Sequence, residues 1–213
     1  MNLISFHGKE EVKQKYVSRM KAHIEADELV RGEIGYNGKG CAVYCTLNRY
    51  DHACYQNELG LPEWLARLED TLFEGMSLEK SKTFPLLFLQ AINPGSKLDN
   101  VFHKFCIFVL EDSKKNVQKQ FDYVIKAIDQ VIDFHLKSIL GFESESAAMS
   151  AAWSTESATM SAARSASRGA AMNAAWSAAW SAESAAMSAE SAAWSAAYDL
   201  YADKLLELLK EVP

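Results

Sequence analysis

The chain has 213 residues, 49% of them hydrophobic and 23% charged, with a formal net charge of −6. That apolar fraction fits one or two folded domains and excludes disorder over the whole length. An acidic balance argues against nucleic acid or an anionic membrane surface as partner. No apolar run is long enough to span a bilayer, and no basic segment followed by an apolar core opens the chain. The expected compartment is therefore cytoplasmic.

In chain order, Lys9 to Val30 reads as a helix with Val12, Tyr16, Met20 and Ile24 at fourfold spacing. Its Lys9, Lys13, Lys15, Arg19 and Lys21 read as a solvated face or, less simply, an anion contact. The Gly35–Gly40 loop holds Asn37-Gly38, a tight-turn dipeptide, and lacks the pattern of a phosphate-binding loop. Residues 41–47 fit either a short strand or a helical turn. Asp51 is placed to start a short helix ending near Leu59. Leu61 to Gly75 is a helix with Pro62 in its first turn and Leu65, Leu68, Leu72 and Phe73 on its apolar face. Its Glu69, Asp70 and Glu74 read as paired carboxylates or as a helix exterior. Phe84 to Ile92 is a buried helix stopped by Asn93-Pro94-Gly95. Residues 105–110 are a strand or the end of a helix from Lys97. Ser113 to Leu140 is a long helix with Val117, Phe121, Val124, Ile128, Val131, Ile132, Leu136 and Ile139 on one face. His103 and His135 read as isolated histidines in apolar helices.

The composition then shifts. Ser144 to Tyr198 holds 22 Ala and 14 Ser with no Leu, Ile, Val, Phe, Lys, His, Cys or Pro. The unit is close to Ser-Ala-Ala-large, as in Ser150–Trp153, Ser177–Trp180 and Ser191–Trp194. Large residues from 149 to 201 recur with a mean spacing of about 3.7 once Glu156, Glu183 and Glu190 fill the three long gaps. Strands need a period of 2, so the pattern predicts helix. Met149, Trp153, Met160, Met172, Trp176, Trp180, Met187 and Trp194 form a stripe, interrupted by Arg164 and Arg168, that needs cover from water. A second copy of the segment supplies that cover, or the segment folds back near Gly169 as a hairpin. An ice-binding face fits poorly, because Thr is scarce.

The fold class predicted is mainly α: a helical domain over 1–143, with a short strand or hairpin left open near 33–47 and 105–110. An Ala/Ser-rich helix or helical hairpin over 144–198 and an amphipathic helix over 199–213 follow it.

Gly38-Lys39-Gly40-Cys41-Ala42-Val43-Tyr44-Cys45-Thr46, Leu65–Asp70 and Phe73-Glu74-Gly75 resemble an uncharacterised family of bacterial and phage hypothetical proteins. The likeness covers about residues 5–110 and extends to an Ala-rich, Trp-punctuated tail. It implies a bacterial or phage source and no activity, so no residue role follows from it.

Two chemistries are open in the first domain. Cys41 follows a flexible basic loop, where a lowered thiol pKa is feasible, and His52 could serve as its base; Lys39, Cys45 and His7 are the accompanying ligand-binding candidates. Cys41, Cys45, His52 and Cys54 also gather soft ligands within 14 residues, so zinc is the cofactor considered, although C-x3-C is not the usual zinc spacing. The principal expectation is non-enzymatic: a binding and assembly protein that forms homo-oligomers through the Trp/Met stripe and takes a protein partner or small ligand on the first domain. A small enzyme using Cys41, and a phage-encoded host-interaction factor, are the alternatives.

Overall fold

The computed structural model describes residues 3–115, 122–141 and 179–213, with side chains from 124 in the second stretch and from 192 in the third. Nine α-helices form, and no strand occurs among the described residues. They are α1 (Glu10–Glu25), α2 (Ala42–Leu47), α3 (Cys54–Leu59), α4 (Glu63–Gly75), α5 (Leu78–Ser81), α6 (Phe84–Ala91), α7 (Asp99–Lys115), α8 (Asp122–Ile139) and α9 (Ala179–Lys210). Among the described residues, no helix is long and apolar enough to cross a membrane.

Of the alternatives left open near 33–47, a tight turn and a helix form and no strand does. Asn37 and Gly38 have φ of 50° and 84°, and Tyr36 and Lys39 exchange backbone hydrogen bonds of 2.8 and 3.0 Å across them. Positive φ at both central residues is the tight turn that Asn-Gly favours. The pairing stops there, as isolated bridges, and residues 42–47 close into α2. Residues 105–110 are likewise helical, because they lie within the 17-residue α7. A short apolar run alone does not distinguish the two structures; its continuation on both sides does.

Helix α1 ends at Glu25, short of the expected Val30. Asp27 turns left-handed, and Val30 N–H then donates to Gly40 O while Gly40 N–H donates to Glu28 O. Backbone pairing with the loop thus takes the Val30 donor and the Glu28 acceptor that a longer helix would use. Of the long helix expected from Ser113, residues 113–115 lie in α7 and residues 122–139 in α8, and residues 116–121 lie outside the described residues.

The described chain forms two compact units. One comprises 1–102 with 191–213, and the other 103–190. In the first, α1 packs on α2 and α6, and α4 lies among α2, α3 and α6. Phe6, Tyr16, Met20, Tyr55, Leu65 and Phe88 are essentially sealed from solvent. Gly60 sits at φ +64°, where any Cβ would meet Ile4 O at 2.1 Å, so chain passage there requires glycine.

The amphipathic segment expected at 199–213 is not a separate helix: α9 runs unbroken from Ala179 to Lys210. Ala202, Leu205, Leu208 and Leu209 are buried in the first unit. Asp199 Oδ1 accepts the Ser77 N–H at 2.9 Å, Lys80 pairs with Asp203 at 2.5 Å, and Asn93 Nδ2 donates to Val212 O at 3.0 Å. The Tyr198 ring lies over Gly75, where a Cβ would come within 2.4 Å of it. Of the expected stripe, Met149, Trp153, Met160, Met172 and Trp176 lie outside the described residues, as does the fold-back point Gly169. Trp180 and Met187 fall on the backbone of α9, and Trp194 is 56% exposed.

Candidate functional site

Two successive carboxyls on α4, Glu69 and Asp70, are drawn into the interior. Helix α4 starts where Pro62 fixes the entry, and neighbours on several sides bury a wide arc of it, including Leu65, Ala66, Leu72 and Phe73. Glu69 is fully buried, and Asp70 is 9% exposed. Tyr55 on α3 donates its hydroxyl to Glu69 Oε2 at 2.7 Å. Tyr50 donates to Asp70 Oδ2 at 3.0 Å, and His52 Nε2 reaches the same oxygen at 3.1 Å. With a carboxylate as acceptor, His52 is assigned its proton on Nε2. The Tyr50 and His52 rings meet edge to face, centroids 4.9 Å apart.

Burial pushes the Glu69 carboxyl up to about 8, against the Tyr55 hydrogen bond and with help from the nearby Asp70 charge. Glu69 therefore carries a proton at neutral pH. Glu69 Oε1, Asp70 Oδ1 and Thr46 Oγ1 are buried without a hydrogen-bond partner among the described residues.

Cys41 is 2% exposed, just ahead of α2. Burial pushes its thiol up to about 12, and the Asp70 carboxylate adds to the rise. A nucleophilic cysteine needs the opposite shift, so the expectation of an activated Cys41 is corrected by its surroundings. His52 is held by Asp70.

The proposed ligands do not converge. Cys45 is sealed, and its Sγ faces Gly40 O at 3.5 Å. Lys39 lies on the exposed turn. His7 contacts Asn57 O at 3.1 Å through Nε2, and Cys54 donates to Asp51 at 3.0 Å. Among the described residues, no group of three or more His, Cys, Asp or Glu is arranged to hold a metal ion, so Cys41, Cys45, His52 and Cys54 do not make the zinc set considered. A shallow depression of about 260 Å³ is lined by Leu87, Gln90, Ala91, Asn93 and Lys210, none of them a cluster residue.

Helical spacing alone leaves the burial of Glu69 and Asp70 open, and it does not mark Tyr50 and Tyr55 as their partners. His103 and His135, expected as isolated histidines, face each other across α7 and α8. Their position within apolar stripes was the available signal. No family model, curated protein or solved structure matches the chain.

Proposed function

We propose that the chain is a cytoplasmic, non-enzymatic assembly protein, and that copies associate through the large-residue stripe of α9. One observation carries the reading. The helical face that docks Tyr198, Leu205 and Leu208 into the first unit continues upstream, one turn earlier, as Trp194, which is 56% exposed. Trp194 and Tyr198 lie with ring centroids 6.5 Å apart, so the face is continuous across the change from covered to uncovered. In sequence the same register continues to Met187 and Trp180. Ala192 and Ala193 beside Trp194 are small enough for a second helix to approach closely. Burying an indole and its neighbours stabilises an interface by a few kcal/mol, at roughly 25 cal/mol per Å² of apolar surface. A second copy presents the matching face by symmetry.

The closed polar cluster favours the same reading over an enzyme. Glu69, Tyr55 and Cys41 admit almost no solvent, and the Cys41 thiol stays protonated.

Light scattering on the size-fractionated full chain tests this. The wild type is expected as an oligomer, and a variant with Trp180→Ser, Met187→Ser and Trp194→Ser as a monomer with unchanged helical content. A wild-type monomer at all concentrations, or an oligomer that survives the triple substitution, overturns the proposal.

A further inference from the structure

Of the eight asparagines in the chain, Asn37 alone precedes a glycine. Asn37 is exposed, in the turn between Tyr36 and Lys39. Neither its side chain nor the Gly38 N–H has a hydrogen-bond partner among the described residues. Two backbone bonds hold the turn, and its pairing is an isolated bridge with no ladder behind it. An exposed turn held this lightly opens locally at low cost. Gly38 brings no Cβ to shield its own amide nitrogen. A carboxamide and an unhindered amide nitrogen on the next residue are the two halves of a ring closure.

The loop that carries this turn covers two thiols. Cys41 Sγ faces Ile34 O at 3.9 Å, and Cys45 Sγ faces Gly40 O at 3.5 Å and Glu28 O at 3.8 Å. The Cys41 N–H donates to Glu33 O at 2.9 Å. The loop also grips the Tyr44 ring of α2, since a Cβ on Gly35 or Gly40 would come within 2.0 or 2.7 Å of it. The Glu28 carboxylate stands beside Gly38, 3.4 Å from where a Cβ would lie. A negative charge gained at residue 37 would be a like charge near Glu28.

We propose that Asn37 is a self-modifying site whose conversion unlatches this cover. The Gly38 nitrogen loses its proton and attacks Asn37 Cγ. A new C–N bond forms, the bond from Cγ to Nδ2 breaks, and ammonia leaves behind a succinimide ring. Water then opens the ring at either carbonyl, giving aspartate or isoaspartate. Aspartate keeps the backbone and tolerates positive φ. Isoaspartate routes the chain through one more carbon, so the Tyr36–Lys39 pairing loses its register and the loop lifts from Cys45.

Peptide mapping of the full chain, incubated at pH 8 natively and in parallel in denaturant, tests this. In the native chain, tryptic peptide 32–39 is expected to convert from amide to acid as two chromatographic forms, while Asn48, Asn57 and Asn100 stay amides. The isoaspartyl chain, separated from the parent, should label at Cys45 with a disulfide reagent at least tenfold faster. Native Asn37 that stays an amide while the denatured chain converts overturns the site. An isoaspartyl chain whose Cys45 is as protected as in the parent overturns the latch.

Discussion

Tyr55 donates its hydroxyl to Glu69 Oε2 at 2.7 Å, with neither side chain in contact with solvent. The neighbouring carboxyl, Asp70, takes Tyr50 and His52 on a single oxygen. Residues 50–55 thus clasp two adjacent acids of α4, and the fully buried one, Glu69, keeps its proton.

Stability should record that proton. Burial raises Glu69 from 4.5 to about 8, so the folded chain binds a proton that the unfolded chain releases. The resulting stabilisation is complete below about pH 4.5 and is lost as pH rises through about 8. Glu69→Gln is permanently neutral and accepts the Tyr55 hydrogen bond. Denaturant unfolding of both proteins at pH 5 and pH 9 should show the wild type losing on the order of 3–5 kcal/mol relative to the variant. Parallel behaviour across that range would contradict a buried neutral Glu69.

His135 gives the opposite slope. Its pKa falls from 6.5 to about 4 in the folded chain, so the unfolded chain binds the extra proton. Stability contributed by the neutral ring is present above about pH 6.5 and is lost as pH falls toward 4, by up to about 3 kcal/mol. His135→Met, of similar volume, should flatten this part of the profile when Tm is followed from pH 4 to 7. An unchanged slope would exclude His135 as the source.

Thiol accessibility separates the four cysteines. Cys41 and Cys45 are buried, and burial pushes each thiol up to about 12, whereas Cys54 and Cys106 are partly exposed. At pH 8 the native chain should react with a disulfide reagent only at Cys54 and Cys106, and all four should react in denaturant. Peptide mapping that finds native Cys41 labelled would restore the nucleophile reading.

The contact between Gly75 and Tyr198 has no spare room. Gly75→Ala places a methyl within 2.4 Å of the ring and should cost about 1–3 kcal/mol through overpacking. Thermal unfolding with and without Tyr198→Ala measures this directly. The penalty should disappear in the double variant.

Helix boundaries set by local chemistry could be read in the sequence. Pro62 and Gly75 bracket α4, Pro85 opens α6, and Asn37-Gly38 makes its turn, because each depends on residues within a few positions. The end of α1 was not legible, since Val30 and Glu28 pair with Gly40 across the loop. Burial of Glu69 was hidden for a similar reason: a helical wheel shows which residues share a face, and a helix covered on several sides buries more than one face. The His103–His135 contact depends on the docking of α7 against α8, which no local spacing encodes.

The docking of 198–213 also has a timing consequence for synthesis. Its partners lie within residues 75–96, and about ninety residues separate the two parts of this unit. At 5–20 residues per second, the ribosome needs roughly 5–20 s to bridge that interval. During this wait the nascent chain leaves uncovered the apolar surface that Leu205, Leu208 and Leu209 later seal, a natural landing place for a chaperone.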